Sequence, residues 1–178
     1  MRNRGARRIF LLLIGIILMT AAMPCSADID PILLNKPNDA VFGCRNDIFI
    51  ELLDNAVISN TIGGRVAEQY YLYLKAEILF LVEGSWDGLD KSSFSVLHTA
   101  ADGSQETYPL DYAITMITNL RNEWKTLSDR LKFTSLTTYY LVFDVPAMET
   151  ENWTLQFRPT QRGGSEPYCV IEIPLKVR

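Results

Sequence analysis

The sequence predicts a mostly β domain, two packed antiparallel sheets with one inserted helix. Three observations predict it. Apolar residues alternate strictly with others over long stretches, turn-forming residues separate those stretches, and one segment alone has a helical repeat.

The clearest strand runs from Tyr70 to Val82. Its even positions, Tyr70, Leu72, Leu74, Ala76, Ile78, Phe80 and Val82, are all apolar, while Lys75 and Glu77 stand at odd ones. A strand sends successive side chains to opposite faces, so this spacing makes one continuous dry face. Shorter runs repeat the pattern: Phe94, Val96 and His98; Leu131 and Phe133; Tyr139, Leu141, Phe143 and Val145; Trp153, Leu155 and Phe157; and Cys169, Ile171, Ile173, Leu175 and Val177. Pro146 ends the run from Tyr139 to Val145, because proline cannot donate to a ladder. Gly63-Gly64, Trp86-Asp87-Gly88, Asp102-Gly103-Ser104 and Gly163-Gly164 supply the turns.

The exception is Ile114, Ile117, Leu120, Trp124, Leu127 and Leu131, which recur at spacings of three and four. That period predicts a helix over about 114–130, inserted between strands, with Trp124 on its apolar side.

The N-terminus reads as an export signal. Four arginines and no acid lie in residues 1–27, an apolar run fills Ile9 to Met23, and Ser26-Ala27 supplies a small-residue end. The apolar run is shorter than the roughly 20 residues a permanent span needs. Arg7-Arg8 admits a twin-arginine route as the alternative, and Cys25 a lipid attachment that Pro24 disfavours. Cleavage after Ala27 removes Cys25, whereas cleavage after Ala22 keeps it. Residues 28–44 read as a leader with two prolines and no period, and 45–178 as the domain. Without residues 1–27 the chain keeps 13 basic and 21 acidic residues, a net charge of −8. An acidic exported domain is a poor partner for nucleic acid, and no second apolar run is long enough to span a membrane.

Cys44 and Cys169 then remain. In an oxidising compartment the simplest state of such a pair is a disulfide, two separate buried thiols being the alternative.

The order of several segments resembles a known family. Ser93-Phe-Ser-Val-Leu-His-Thr99 is followed by Asp102-Gly103 and Tyr108-Pro-Leu110. Tyr140-Leu-Val-Phe-Asp-Val-Pro146 and Trp153-Thr-Leu-Gln-Phe157 come later. This is similar to the bacterial exported domains of unknown function called telokin-like. The resemblance covers about residues 45–178, and it implies an immunoglobulin-like sandwich in a cell-envelope or extracellular setting. It carries no catalytic residues over.

Site chemistry is sparse. The single histidine, His98, sits on the apolar parity of its strand, whereas nucleophilic triads and most zinc sites need histidine with partners. Asp87, Asp90 and Asp102 lie in turns, where oxygen ligands could hold calcium but where aspartate is common anyway. Neither a catalytic residue, a cofactor nor a metal site is expected. The aromatics are the candidate ligand surface: Trp86 in a turn, and Tyr71 and Tyr73 on the face opposite the apolar stripe. The expectation is a non-enzymatic exported domain that binds a protein or envelope component, or else a carbohydrate through those rings. No motif specifies the partner or an oligomeric state.

Overall fold

A computed structural model describes residues 41–83, 85–146 and 149–178. The stretch read as an export signal, and most of that read as a leader, lie outside these residues. The sheet begins inside the stretch read as leader, at β1 (Val41–Cys44).

The first sheet is organised by β4 (Arg65–Phe80), which is long enough to take neighbours along two halves. On one side, β2 (Ile48–Leu52) pairs with its second half and β3 (Val57–Ile62) with its first; β1 lies beyond β2. On the other side β9 (Ser135–Val145) pairs from Phe80↔Ser135 to Tyr70↔Val145. All these pairings are antiparallel. The second sheet has the order β11 (Ile171–Pro174), β10 (Trp153–Phe157), β6 (Phe94–Thr99), β7 (Gln105–Pro109). A two-residue pair, β5 (Ser85–Trp86) and β8 (Leu131–Lys132), stands apart.

The alternation places the core as the sequence expects. Leu72, Leu74, Ala76, Ile78 and Phe80 are buried, and so are Tyr139, Leu141, Phe143 and Val145 from the adjacent strand. Trp153, Leu155, Phe157, Phe94 and Val96 face them from the second sheet. Phe94 and Phe157 are directly opposed in register, and their rings stack at 4.8 Å and 13°. Burying each such side chain contributes roughly 1.5–3 kcal/mol of hydrophobic stabilisation. Phe133 departs from this pattern. It lies in the β8–β9 turn beside Thr134 (φ 61°) and is 53 % exposed, because the chain reverses before a second inward position arises.

The sandwich is closed where the chain's last residues cross between sheets. Ile171–Pro174 pairs with β10, but Ala56 donates to the Lys176 carbonyl at 2.8 Å and Arg178 to the Ala56 carbonyl at 3.0 Å. This parallel bridge ties the end of the described chain to the start of β3. A disulfide joins Cys44 to Cys169, with Cα atoms 6.4 Å apart, and so links β1 to the segment entering β11.

Two turns need glycine. Ile62 and Arg65 are paired, so Gly63-Gly64 forms a two-residue hairpin loop, with φ of 55° and 78°. At Gly88, φ is 99° and an added Cβ would lie 2.7 Å from the Ser128 carbonyl group.

The inserted helix, α1 (Tyr112–Arg121), is shorter than the 114–130 predicted and starts earlier. Asp111 caps it, its Oδ1 accepting from the Ile114 N–H at 3.0 Å. Glu123 ends it by adopting φ 57°, which a helix cannot contain. Leu127 is buried from the irregular segment beyond and Leu131 from β8, neither from a helical face. Trp124 is also off the helix and only half-buried, a correction to the expected core position. The expected stripe is offset too. Leu120 is 60 % exposed, whereas Thr115 and Asn119 are completely buried. The reason is that α1 packs beside the edge of β9, where unpaired backbone groups need polar partners rather than methyl groups.

No helix among the described residues is long and apolar enough to cross a membrane.

Candidate functional site: an aromatic shelf on the first sheet

The outward parity of the first sheet carries Tyr71, Tyr73 and Lys75 on β4, and Tyr140, Val142 and Asp144 on β9. The register puts Tyr71 opposite Asp144, Tyr73 opposite Val142 and Lys75 opposite Tyr140. The helix covers one end of this face. Ile114 packs on Tyr71 and Val142, with Tyr73 at the border of that cluster.

Asn119 and Thr115 fix α1 against β9. Asn119 Oδ1 accepts from the Tyr140 N–H at 2.9 Å, and Nδ2 donates to the Tyr140 carbonyl at 2.8 Å. Thr115 Oγ1 accepts from the Val142 N–H at 3.0 Å. Two side chains one helical turn apart thus stand in for a neighbouring strand. At the other end of α1, Arg121 Nη1 donates to the Gly63 carbonyl at 2.6 Å, tying the helix to the β3–β4 hairpin.

Beyond the helix the face is aromatic. The Trp124 ring stacks on Tyr140 at 4.7 Å and 12°. Lys75 Nζ lies 5.2 Å from the Tyr140 ring centroid and 5.9 Å from that of Trp124, and 3.6 Å from Asp54 Oδ2. The Tyr140 hydroxyl first, and the Asp54 carboxylate after it, hold the Lys75 ammonium above its ordinary pKa, so it is charged at neutral pH. Tyr73 and Tyr140 together border two recesses. One, of about 260 Å³, adds Thr61, Thr118, Arg121 and Asn122. The other, of about 160 Å³, adds Asp54, Asn55, Lys75 and Arg178. Flat rings bordered by amide, hydroxyl, carboxylate and guanidinium groups offer stacking area together with directional hydrogen bonds. A larger recess, of about 450 Å³, opens between Phe42, Leu52 and Ile173, but Phe42 is the one ring described in its lining.

The three aromatics singled out in the sequence do not form one surface. Tyr73 is half-buried and belongs to the shelf. Tyr71 is 5 % exposed beneath α1, where burial, then the nearby Asp111 and Asp144 carboxylates, push its hydroxyl pKa up. Trp86 is 9 % exposed and turned inward, edge-on to Phe80 at 5.5 Å and to Tyr168 at 5.8 Å. The residues missed were Tyr140 and Trp124. Tyr140 carried a readable signal, an aromatic on the wet parity of a strand, as at Tyr73. Trp124 carried none, since its place depends on where the helix stops.

The remaining candidates have protein partners. Asp87 accepts from Arg130 Nη2 at 3.0 Å. Asp90 caps a short 3₁₀ turn, and the Asp102 carboxylate holds Ser104, which lowers its pKa. His98 Nε2 meets Glu149 Oε2 at 2.9 Å and its ring lies 4.6 Å from that of Trp153, at the rim of the core.

No known protein family and no curated protein matches this chain. Among solved structures it is similar to the yjhA protein from Bacillus subtilis, with 11 % identity, a TM-score of 0.47, and 78 % of this chain and 97 % of that one covered. It is similar also to the ycdA protein from Bacillus subtilis, with 10 % identity and a TM-score of 0.46, covering 79 % of this chain and 39 % of the other. A third is MPT63, a secreted protein from Mycobacterium tuberculosis, with 14 % identity and a TM-score of 0.42 over 75 % of this chain and 91 % of that one.

Proposed function

We propose that this is an exported, non-enzymatic binding domain, and that its ligand, a protein or another cell-envelope component, docks on the shelf formed by Tyr73, Tyr140 and Trp124. The observation that carries the reading is the stacked Trp124–Tyr140 pair, which shares its border with Tyr73 and two polar recesses. The signal-like N-terminus, the cysteine pair and the pattern likeness to telokin-like domains support an extracytoplasmic setting. Tyr73 and Tyr140 are held from the paired strands β4 and β9, so these two rings need little ordering on binding.

The second reading is a carbohydrate as the ligand. It is favoured by the mixture of ring faces with Asn55, Asp54, Asn122 and Arg121 at their borders, since sugars present both C–H faces and hydroxyl edges.

The test is a capture from envelope extract, paired with a glycan array, using the secreted protein and its Tyr73→Ala and Trp124→Ala variants. A component held by the parent and lost in both folded variants is the expected result. Retention by both variants would remove the shelf from the reading. Turnover of any substrate in a hydrolase panel would remove the non-enzymatic part.

A further inference from the structure

A second candidate site lies at the end of the sandwich where Trp86 is turned inward. A recess of about 320 Å³ opens there, lined by Val82, Glu83, Trp86, Gln161, Glu166 and Tyr168. Its two rings stand at 77° to each other with centroids 5.8 Å apart. Both are held from behind. Trp86 sits edge-on to Phe80 and pairs through β5 with Leu131 on β8. The Tyr168 hydroxyl donates to Asp47 Oδ2, and the next residue, Cys169, is locked by the disulfide. Gln161 is held through its backbone, bridged to Leu89.

The charged side chains that line the recess are both acidic. Glu83 and Glu166 are exposed, and neither pairs with another described residue. No lysine or arginine is among the described groups that line the recess. The Arg45 guanidinium lies 4.5 Å from the Tyr168 ring centroid, so one face of this ring is held by the protein's own cation, and a ligand's charge is left to the carboxylates and Trp86. Aromatic faces attract cations through the ring quadrupole, more strongly where the site is desolvated, and a nearby carboxylate adds coulombic attraction. A recess of this size admits an ammonium head with its alkyl groups, against Val82 and the rings.

We propose that this recess binds an alkylammonium group. The cation is held between the Glu83 and Glu166 carboxylates, and its methylene or methyl groups lie on Trp86 and Tyr168. The site is separate from the shelf and does not depend on it. The same chemistry is presented by a lysine side chain and by a choline head, and the two are separated by experiment.

The test follows the Trp86 indole N–H resonance of the full secreted protein, assigned with a Trp86→Phe variant. The probes are choline chloride, Nα-acetyl-lysine amide and dimethylbutanol, the neutral carbon analogue of choline. A saturable shift is expected with at least one of the two cations at millimolar concentration and not with the alcohol. Whichever cation binds more tightly identifies the source. The exposed-site variant Glu83→Gln/Glu166→Gln is expected to bind about tenfold more weakly while keeping its fold. No saturable shift with either cation, an equal shift with the alcohol, or unchanged binding by the double variant would each overturn the proposal. Wild-type binding to the Tyr73→Ala variant is expected in full, which keeps this result distinct from that of the shelf.

Discussion

The Asn119 carboxamide makes both hydrogen bonds that a strand would make to Tyr140, donating to its carbonyl at 2.8 Å and accepting from its N–H at 2.9 Å. The bond pair closes the exposed edge of β9 and sets the height of α1 above the sheet. It also orders the backbone of the residue whose ring stacks with Trp124. Asn119→Leu therefore orphans two backbone groups at a buried position. The expected loss is about 2–6 kcal/mol, at roughly 1–3 kcal/mol for each group left unsatisfied. A urea titration measures it. Thr115→Val, which removes the second clamp, is expected to cost less, and equality of both variants with the parent would show that α1 is not held by these side chains.

The disulfide closes a loop of 125 residues. In the chain-entropy picture such a loop is worth about 5 kcal/mol, and removal of native bridges from small domains costs about 2–5 kcal/mol. The Cys44→Ser/Cys169→Ser variant is expected to melt well below the parent. Adding reductant to the parent is expected to reproduce that shift in a thermal scan, and to leave the double variant unmoved.

Gly88 and Gly103 both have positive φ, 99° and 84°, but their surroundings differ. A Cβ at Gly103 meets nothing within 4 Å, whereas one at Gly88 would lie 2.7 Å from Ser128 backbone atoms and 2.8 Å from the Leu127 carbonyl oxygen. Gly103→Ala is expected to cost only the left-handed strain, about 1–2 kcal/mol. Gly88→Ala adds a backbone displacement to that and breaks the short Leu89 N–H bond to the Leu127 carbonyl. Comparison of their denaturation midpoints checks the order.

Alkaline pH is expected to weaken the fold through Tyr108. Burial first, then the hydrogen bond to Glu106, pushes its hydroxyl from about 10 up to about 12. A group whose folded pKa is raised keeps its proton more tightly in the folded state. Its contribution is complete below pH 10 and is lost as pH rises from about 10 to about 12. Tyr108→Phe is expected to flatten the stability profile in that window. Tyrosinate absorbance and denaturation midpoints, read at matched pH, follow the two halves of the effect.

Asp144 behaves in the opposite sense to a stabilising carboxylate. Burial, then the negative charges of Glu68 and Asp111, raise its pKa. Its ionised form is therefore disfavoured in the fold, and stability declines as pH rises through its titration. Asp144→Asn is expected to raise the melting temperature at neutral pH and to have little effect below the carboxylate range.

Much of the architecture was legible along the chain because strand burial is a local code. The parity of Leu72 to Phe80, of Tyr139 to Val145 and of Trp153 to Phe157 marks the dry faces, and Gly63-Gly64 marks a hairpin. Cys44 and Cys169 could be expected to pair because cleavage after Ala27 would leave only those two, and the disulfide joins them. The helix was legible in kind but not in extent or facing. Its repeat continues to Leu131, yet Glu123 turns the backbone away, and the buried positions are Thr115 and Asn119.

The sequence by itself determined which faces are wet and which are dry, since alternation depends only on the geometry of an extended backbone. What lies on a wet face was decided by the tertiary structure alone. Tyr71 and Tyr73 share a parity, but α1 covers the first and leaves the second at the shelf, while Trp86, in a turn, is drawn in between Phe80 and Tyr168. The physical reason is that exposure of an outward side chain depends on which distant segment returns to pack on it. That return is governed here by unsatisfied backbone groups on the edge of β9, a property no single residue in the sequence displays.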